Sequence, residues 1–143
     1  MKHYLLKTRK KVEDINSFIL NSTNKIERIS FFSEDLEELE IIRKKAEIIE
    51  DISITYAMPR DLEIGHKNAT KKDAINFLID YLEIEKENVL AFGDAHNDLE
   101  MIKEAGIGVA MGNSNKQLKD SADIIADTNN FDGVAKIIET FLR

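Results

Sequence analysis

The stretch that most constrains the fold is residues 89–101, where a short apolar run is followed directly by acidic and amide side chains. Residues 89–92 are all apolar, which is typical of a buried parallel strand. Asp94 comes just after this strand, and Asn97 or Asp98 can cap the helix that follows. Open α/β sheets bind ligands at the carboxyl ends of their strands. The stretch therefore predicts a functional site on an α/β sheet.

Asp94, Asn97 and Asp98 have the side chains that a site for Mg²⁺ and phosphate requires. Mg²⁺ is usually held by one or two carboxylates together with phosphate oxygens. Asp94 leaves the strand first and is the better direct ligand, whereas Asp98, one helical turn later, can act through water or orient Asp94. The amide of Asn97 can donate to a phosphate oxygen. Taken singly, each residue is more commonly a turn or a cap, so the prediction depends on its surroundings.

The composition favours one folded domain, or one domain with an additional lobe. The chain has 143 residues, of which 43% are hydrophobic and 33% charged, so it can bury a core. Its net charge of −7 argues against nucleic acid as the main partner. The absence of cysteine excludes disulfides and thiolate metal sites and is compatible with a cytoplasmic location. We expect neither a membrane span nor a signal peptide, because no apolar run is long enough.

Residues 1–65 are expected to form a partial α+β lobe. Residues 1–6 are interpreted as a short strand or an extended lead-in. Periodicity then predicts a helix, a strand, a helix and two short strands, at residues 8–20, 25–32, 33–49, 52–57 and 62–64. Thr8 and Ser33 are the expected N-caps of the two helices. Residues 65–68, Gly-His-Lys-Asn, are expected to break the chain, and we place the boundary of the lobe there.

Residues 66–143 are expected to form an α/β core with a doubly wound parallel sheet. The predicted helices cover residues 69–82, 98–104, 114–121 and 131–141, and the predicted strands cover residues 89–92, 107–111 and 123–126. This alternation implies parallel strands joined by right-handed crossovers. Thr70 is the expected cap of the first helix. Lys71 and Lys72 follow it at the positive end of the helix dipole, so they need either a nearby anion or plain solvent.

A longer motif identifies a family resemblance. Gly93-Asp94-x-x-Asn97-Asp98-Leu99-x-Met101, followed by Ala-Gly-Ile-Gly-Val-Ala-Met-Gly-Asn at residues 105–113, resembles the fourth motif of the haloacid dehalogenase superfamily. The closest likeness is to the Cof-type sugar-phosphate phosphatases, which carry a type IIB cap, and it extends from about residue 54 to the C-terminus. The resemblance implies that Asp94 binds Mg²⁺, that Asn97 contacts the transferring phosphate and that Asp98 supports the metal site.

The same resemblance assigns a role to Lys71 and to the lobe. Thr70-Lys71 matches a Ser/Thr-Lys pair of the family, which implies that Lys71 holds the phosphoryl oxygens. The lobe would be part of the cap that selects the substrate, a small phosphorylated metabolite. Lys72 and His66 stand where the family often has Gly and Pro. His66 is a possible acid or base near the phosphate, although a loop histidine is more often simply exposed.

The superfamily's first motif, Asp-x-Asp, is missing, since none of the twelve aspartates is followed by another two residues later. In the superfamily the first of these aspartates attacks phosphorus and the second is the general acid and base. The second motif, a Ser/Thr at a strand end upstream of the cap, is also missing. The resemblance therefore implies the C-terminal part of a Mg²⁺-dependent phosphatase, with no catalytic residue of its own and no appreciable activity alone.

The missing motif has a consequence for assembly. In the family, the strand that carries it pairs with the strand that here holds residues 89–92. That strand would otherwise be an exposed apolar edge, which tends to recruit another strand. We therefore expect a homodimer, a complementing N-terminal polypeptide or poor solubility.

Two other functions fit the sequence. The first is a binding or assembly module that has lost catalysis. The second is the phosphorylation domain of a P-type ATPase, which shares a Gly-Asp-x-x-Asn-Asp…Gly-x-Ala-Met-Gly pattern. That motif usually has Pro where this chain has Glu100 or Met101, and such pumps need membrane helices.

Overall fold

The described residues, 7–23, 25–56 and 58–142 of a computed structural model, contain two three-stranded sheets. The strands of the first sheet are β1 (Arg28–Phe32), β2 (Ile52–Thr55) and β3 (Asp61–His66). Those of the second are β4 (Leu90–Gly93), β5 (Ile107–Ala110) and β6 (Ile124–Ile125). The helices are α1 (Ile15–Leu20), α2 (Leu36–Ala46), α3 (Lys71–Leu82), α4 (Leu99–Glu104), α5 (Lys116–Ser121) and α6 (Gly133–Phe141). Short 3₁₀ turns cover Lys86–Asn88, His96–Asp98 and Asn129–Phe131.

The first sheet is antiparallel and has β3 at its centre, between β1 and β2. Helix α2 contributes the buried side chains of Leu39 and Ala46, and β3 contributes Leu62. The ends of α2 complement its dipole, because acidic residues occupy the first turn and basic residues the last. This arrangement agrees with the expected α+β lobe, while its separation from the core at residue 65 stays a prediction.

The second sheet is parallel, in the order β4-β5-β6, and helices pack on both of its faces. Consecutive strand residues point to opposite faces. Ala110 packs with residues of α4 and α5, namely Leu99, Ile102 and Leu118. Its neighbour Val109 packs with Met111, Ala126 and Ile137, the last of which belongs to α6. The predicted doubly wound α/β core with a parallel sheet is confirmed.

Two of the predicted helix starts are wrong. The helix expected over residues 8–20 is replaced near its C-terminal end by α1, because the Asp14 carboxylate accepts the Asn16 N–H at 2.9 Å and caps a new helix. Helix α2 is capped by Asp35, whose carboxylate accepts the Glu37 N–H at 2.8 Å, and not by Ser33. The predicted strand over residues 1–6 lies outside the described residues.

The break expected over residues 65–68 is confined to its second half, because Gly65 and His66 belong to β3 and the turn occupies residues 67–68. Gly65 pairs with Arg28 on one side and with Ser53 on the other. The backbone bonds of a central strand hold the glycine extended, so the turn falls after His66. Three apolar residues of α3, Leu78, Tyr81 and Leu82, are exposed.

Candidate phosphate and metal site

The site begins where β4 ends, at Gly93, and where the chain turns back on itself. A Cβ atom added to Gly93 would lie 2.6 Å from the Cβ of Asp98 and 3.1 Å from Cγ2 of Ile102. No side chain fits there without moving Asp98 or the core residue Ile102. Gly93 is therefore required by close approach, since it lets Asp98 fold back against the end of the strand.

Asp98 is the buried centre of the site, with only 3% of its surface exposed. Its Oδ2 accepts the backbone N–H groups of Asp94, at 2.9 Å, and Ala95, at 3.0 Å. Its Oδ1 pairs with the Nζ of Lys71. Burial acts to raise the pKa of the Asp98 carboxyl, but the hydrogen bonds from Lys71, Ala95 and Asp94 outweigh it, so this pKa lies below its ordinary value.

Lys71 reaches the site from the first turn of α3. Thr70 caps this helix, since its Oγ1 accepts the Asp73 N–H at 3.1 Å. The Lys71 side chain is half exposed, with its ammonium group on Asp98. Lys72 instead points to Glu104, 3.6 Å away. Of the two lysines at this helix start, Lys71 is thus the one that contacts the predicted site.

Asp94 and Asn97 occupy the same loop but differ in their surroundings. Asp94 is exposed just beyond β4, with its backbone N–H held by Asp98. The Oδ1 of Asn97 is buried and has no hydrogen-bond partner among the described residues. An unpaired buried carbonyl oxygen is costly, so this position favours a donor group that arrives from elsewhere.

The donor set fits Mg²⁺ in part. Asp94 offers an exposed carboxylate, which agrees with the hydrated, weakly chelated sites that Mg²⁺ prefers. Both oxygens of Asp98 already accept hydrogen bonds, so Asp98 is better suited to orient Asp94 than to bind a metal directly. Within residues 7–23, 25–56 and 58–142, no cluster of three or more His, Asp or Glu side chains could hold a metal ion.

Sequence reasoning missed two contacts of this region. Tyr56, just after β2, stacks on His96 in the loop, with ring centroids 4.0 Å apart. Its sequence neighbourhood gives no signal for this, because 40 positions separate the two residues. His66, considered as an acid or base, is exposed, and its Nδ1 accepts the Asn68 N–H at 3.2 Å, which is a local turn contact.

The fold and site together define an α/β protein with a polar site at the carboxyl end of a parallel strand. The family model described as haloacid dehalogenase-like hydrolase matches residues 1–138. The chain therefore belongs to the haloacid dehalogenase-like hydrolase family, as its motif predicted. Across the described residues, no helix is long and apolar enough to cross a membrane.

Several known proteins are similar to this chain. A 5-amino-6-(5-phospho-D-ribitylamino)uracil phosphatase of Bacillus subtilis is 45% identical over 102 residues, which are 71% of this chain and 39% of that protein. The structure of a haloacid dehalogenase-like hydrolase from B. subtilis superposes with a TM-score of 0.83 at 32% identity, covering 90% of this chain and 45% of that one. A subclass IIB sugar phosphatase superposes with a TM-score of 0.73 at 28% identity, covering 87% and 46%. The chain thus spans less than half the length of each.

Proposed function

We propose that this chain is the Mg²⁺- and phosphate-binding part of a phosphatase that acts on small phosphate monoesters, such as sugar phosphates. The observation that carries the proposal is the contact of Lys71 and the Asp94 backbone with the same buried carboxylate, Asp98. This arrangement supports a lysine for phosphoryl oxygens and a metal-binding aspartate side by side. The relatives named as phosphatases support the same class of reaction.

In this proposal each residue has one role. Asp94 binds the metal, which when bound neutralises charge on the phosphate oxygens. Lys71 and the Asn97 amide bind the phosphate. Asp98 holds the Asp94 backbone and the Lys71 ammonium in place, and it acts on the metal only indirectly.

The proposal includes a missing nucleophile. Covalent phosphoryl transfer needs a carboxylate in line with phosphorus, and no Asp-x-Asp pair occurs in the sequence. We propose that the nucleophile is supplied by a complementing polypeptide that pairs with β4, which is the edge strand of its sheet. The chain alone is then inactive.

The test is hydrolysis of para-nitrophenyl phosphate with Mg²⁺, first by the chain alone and then with added polypeptide from the Asp-x-Asp half of the B. subtilis relative. We expect no turnover alone and turnover on addition. That turnover should be lost in Asp94→Asn and in Lys71→Met. The matched control is Asp120→Asn, an exposed aspartate that pairs with Lys116 on α5, and it should keep the activity.

Two results would contradict the proposal in different ways. Turnover by the chain alone that disappears in Asp94→Asn would mean that the site is complete without a supplied nucleophile. If the chain binds the added half but gives no turnover, and neither Mg²⁺ nor inorganic phosphate is detected on it by calorimetry, the phosphatase assignment is wrong.

A second candidate function rests on the exposed apolar surface. Helix α3 exposes Phe77, Leu78, Tyr81 and Leu82, and within the described part of the chain no strand pairs with the outer edge of β4. These surfaces also suit a non-catalytic assembly module, including a homodimer. Partner binding that persists in Asp94→Asn and Lys71→Met, without any turnover, would favour this function.

A further inference from the structure

The stack between Tyr56 and His96 joins the lobe to the site loop. Tyr56 directly follows β2 of the lobe, whereas His96 lies between Asp94 and Asn97 in the loop after β4. The ring centroids are 4.0 Å apart and the planes are inclined by 24°, which is a parallel stacking geometry. The residue that directly follows β2 thus touches the loop that holds the candidate ligands.

Open space lies beside this contact. A cavity of about 580 Å³ is lined by Ile54 and Thr55 of β2 on the lobe side and by His96, Asn97 and Leu99 on the core side. The stack therefore lies beside a cavity between β2 and the site loop.

One nitrogen of the His96 ring has no hydrogen bond to orient the ring. Its Nδ1 is buried and has no hydrogen-bond partner among the described residues. A histidine ring is usually oriented by the hydrogen bond that one of its nitrogens makes. The ring has no such bond at Nδ1, and the stack on Tyr56 is a contact that can restrain it instead.

A displacement of His96 would reach the site through the backbone. His96 and Asp98 belong to one 3₁₀ turn, in which the Asp98 N–H donates to the Ala95 carbonyl at 3.1 Å. The Asp98 carboxylate in turn holds the N–H groups of Asp94 and Ala95. Hydrogen bonds among residues 94–98 therefore hold the loop together, and His96 lies within this segment.

We infer that Tyr56 is a positioning residue, which acts through His96 to couple the seating of the lobe to the geometry of the Asp94 loop. The contact itself does not require the proposed phosphatase function. Its consequence for phosphate binding does rest on that function: the lobe that would cover the substrate also sets the loop that binds the phosphate.

The experiment is amide hydrogen exchange and NMR of the full chain, without any assay of activity. In Tyr56→Ala we expect the Asp94 and Ala95 amides to exchange about 2- to 10-fold faster, as loss of one aromatic pair allows. Tyr56→Phe retains the ring and should restore the slow exchange. The control Phe131→Ala removes an exposed aromatic side chain of the 3₁₀ turn at Asn129–Phe131 and should leave both amides unchanged.

A second measurement keeps the test valid if Tyr56→Ala does not fold. The His96 ring protons, assigned with His96→Gln, should show a ring-current shift in the native chain and in Tyr56→Phe, and lose it in Tyr56→Leu. No ring-current shift in the native chain, or unchanged Asp94 and Ala95 exchange in a folded Tyr56→Ala, would overturn the inference. These readouts involve no catalysis, so they remain informative if the phosphatase proposal fails.

Discussion

At the scale of the residue, the main structural role of Asp98 is to position other groups of the site. Its two oxygens hold a lysine from α3 and two backbone N–H groups from the loop after β4. A buried carboxylate of this kind stays charged because the hydrogen bonds from the lysine and the two N–H groups offset the cost of burial. Asp98 is therefore the link between the phosphate-binding lysine and the proposed metal ligand, Asp94.

The first prediction concerns the pH dependence of stability. The pKa of Asp98 is lowered in the fold, so its contribution is complete above the unfolded pKa of about 3.9 and is lost as the pH falls through the lower folded value. We expect Asp98→Asn to lower the free energy of unfolding by about 1–3 kcal/mol at pH 7, with a difference that shrinks below pH of about 4. Urea denaturation at several pH values measures this.

The difference in stability between the native chain and Asp98→Asn reports on Asp98 alone, because both proteins have the same other acidic groups. Asp120→Asn is the matched control: its carboxylate is exposed, so we expect a change within about 0.5 kcal/mol. A destabilisation by Asp98→Asn that stays constant down to pH 2 would contradict the electrostatic account.

The second prediction concerns the close approach at Gly93. Gly93→Ala places a Cβ 2.6 Å from the Cβ of Asp98, so the loop must move. We expect a loss of about 1–3 kcal/mol in the free energy of unfolding, as for overpacked cores. Gly65→Ala is the control, since a Cβ there meets nothing closer than 3.6 Å. Chemical denaturation measures the free energy of unfolding of both variants. Equal values for Gly93→Ala and Gly65→Ala would show that this close contact does not require a glycine at position 93.

At the scale of the element, α3 connects the two sheets in sequence and delivers Lys71. Thr70 fixes the start of the helix, because its Oγ1 accepts the Asp73 N–H and its hydroxyl also donates to the Asp73 carboxylate. The position of the Lys71 ammonium on Asp98 therefore depends on a cap that was predictable from the sequence.

The third prediction is the cost of removing that cap. Thr70→Ala should lower the free energy of unfolding by about 0.5–2 kcal/mol, because an N–H at the helix start loses its acceptor. Thr70→Ser keeps the hydroxyl and should recover most of the loss. Thr140→Ala, on the exposed side of α6, serves as the control and should change stability little. Thermal unfolding measures all three, and identical effects of the Ala and Ser variants would argue against the cap.

At the scale of the whole molecule, apolar surface remains uncovered on the α/β core. Helix α3 has no buried residue, and four of its apolar side chains are exposed. Among the described residues, strand β4 forms the edge of the parallel sheet and pairs with β5 alone. Exposed edges and apolar patches favour association with another chain.

The fourth prediction is therefore self-association of the isolated chain. Light scattering should give a mass above the 16.3 kDa of one chain. The double variant Phe77→Lys with Tyr81→Lys should shift the distribution towards the monomer, because charges on α3 oppose its burial. Ile48→Lys, at a side chain of the lobe that is 83% exposed, is the control. A monomer at all concentrations would count against association through these surfaces.

The sequence alone determined the α/β core, the order of its strands and helices, and the Thr70 cap. These features depend on short-range chemistry: apolar periodicity, helix caps, and the alternation that enforces parallel pairing. Prediction from the sequence failed where local signals were ambiguous. Ser33 and Asp35 both can cap a helix, and Gly65 is a break in isolation but an ordinary residue inside a central strand.

Only the tertiary structure decided which side chains meet. Lys71 and Asp98 are 27 positions apart, and Tyr56 and His96 are 40 apart. No local pattern encodes these contacts, because they arise from the packing of α3 against α4 and of the lobe against the site loop. The local elements depend on forces between residues that are near neighbours in the sequence. The site depends instead on burial in the folded chain, which makes the charge of Asp98 depend on partners far along the chain.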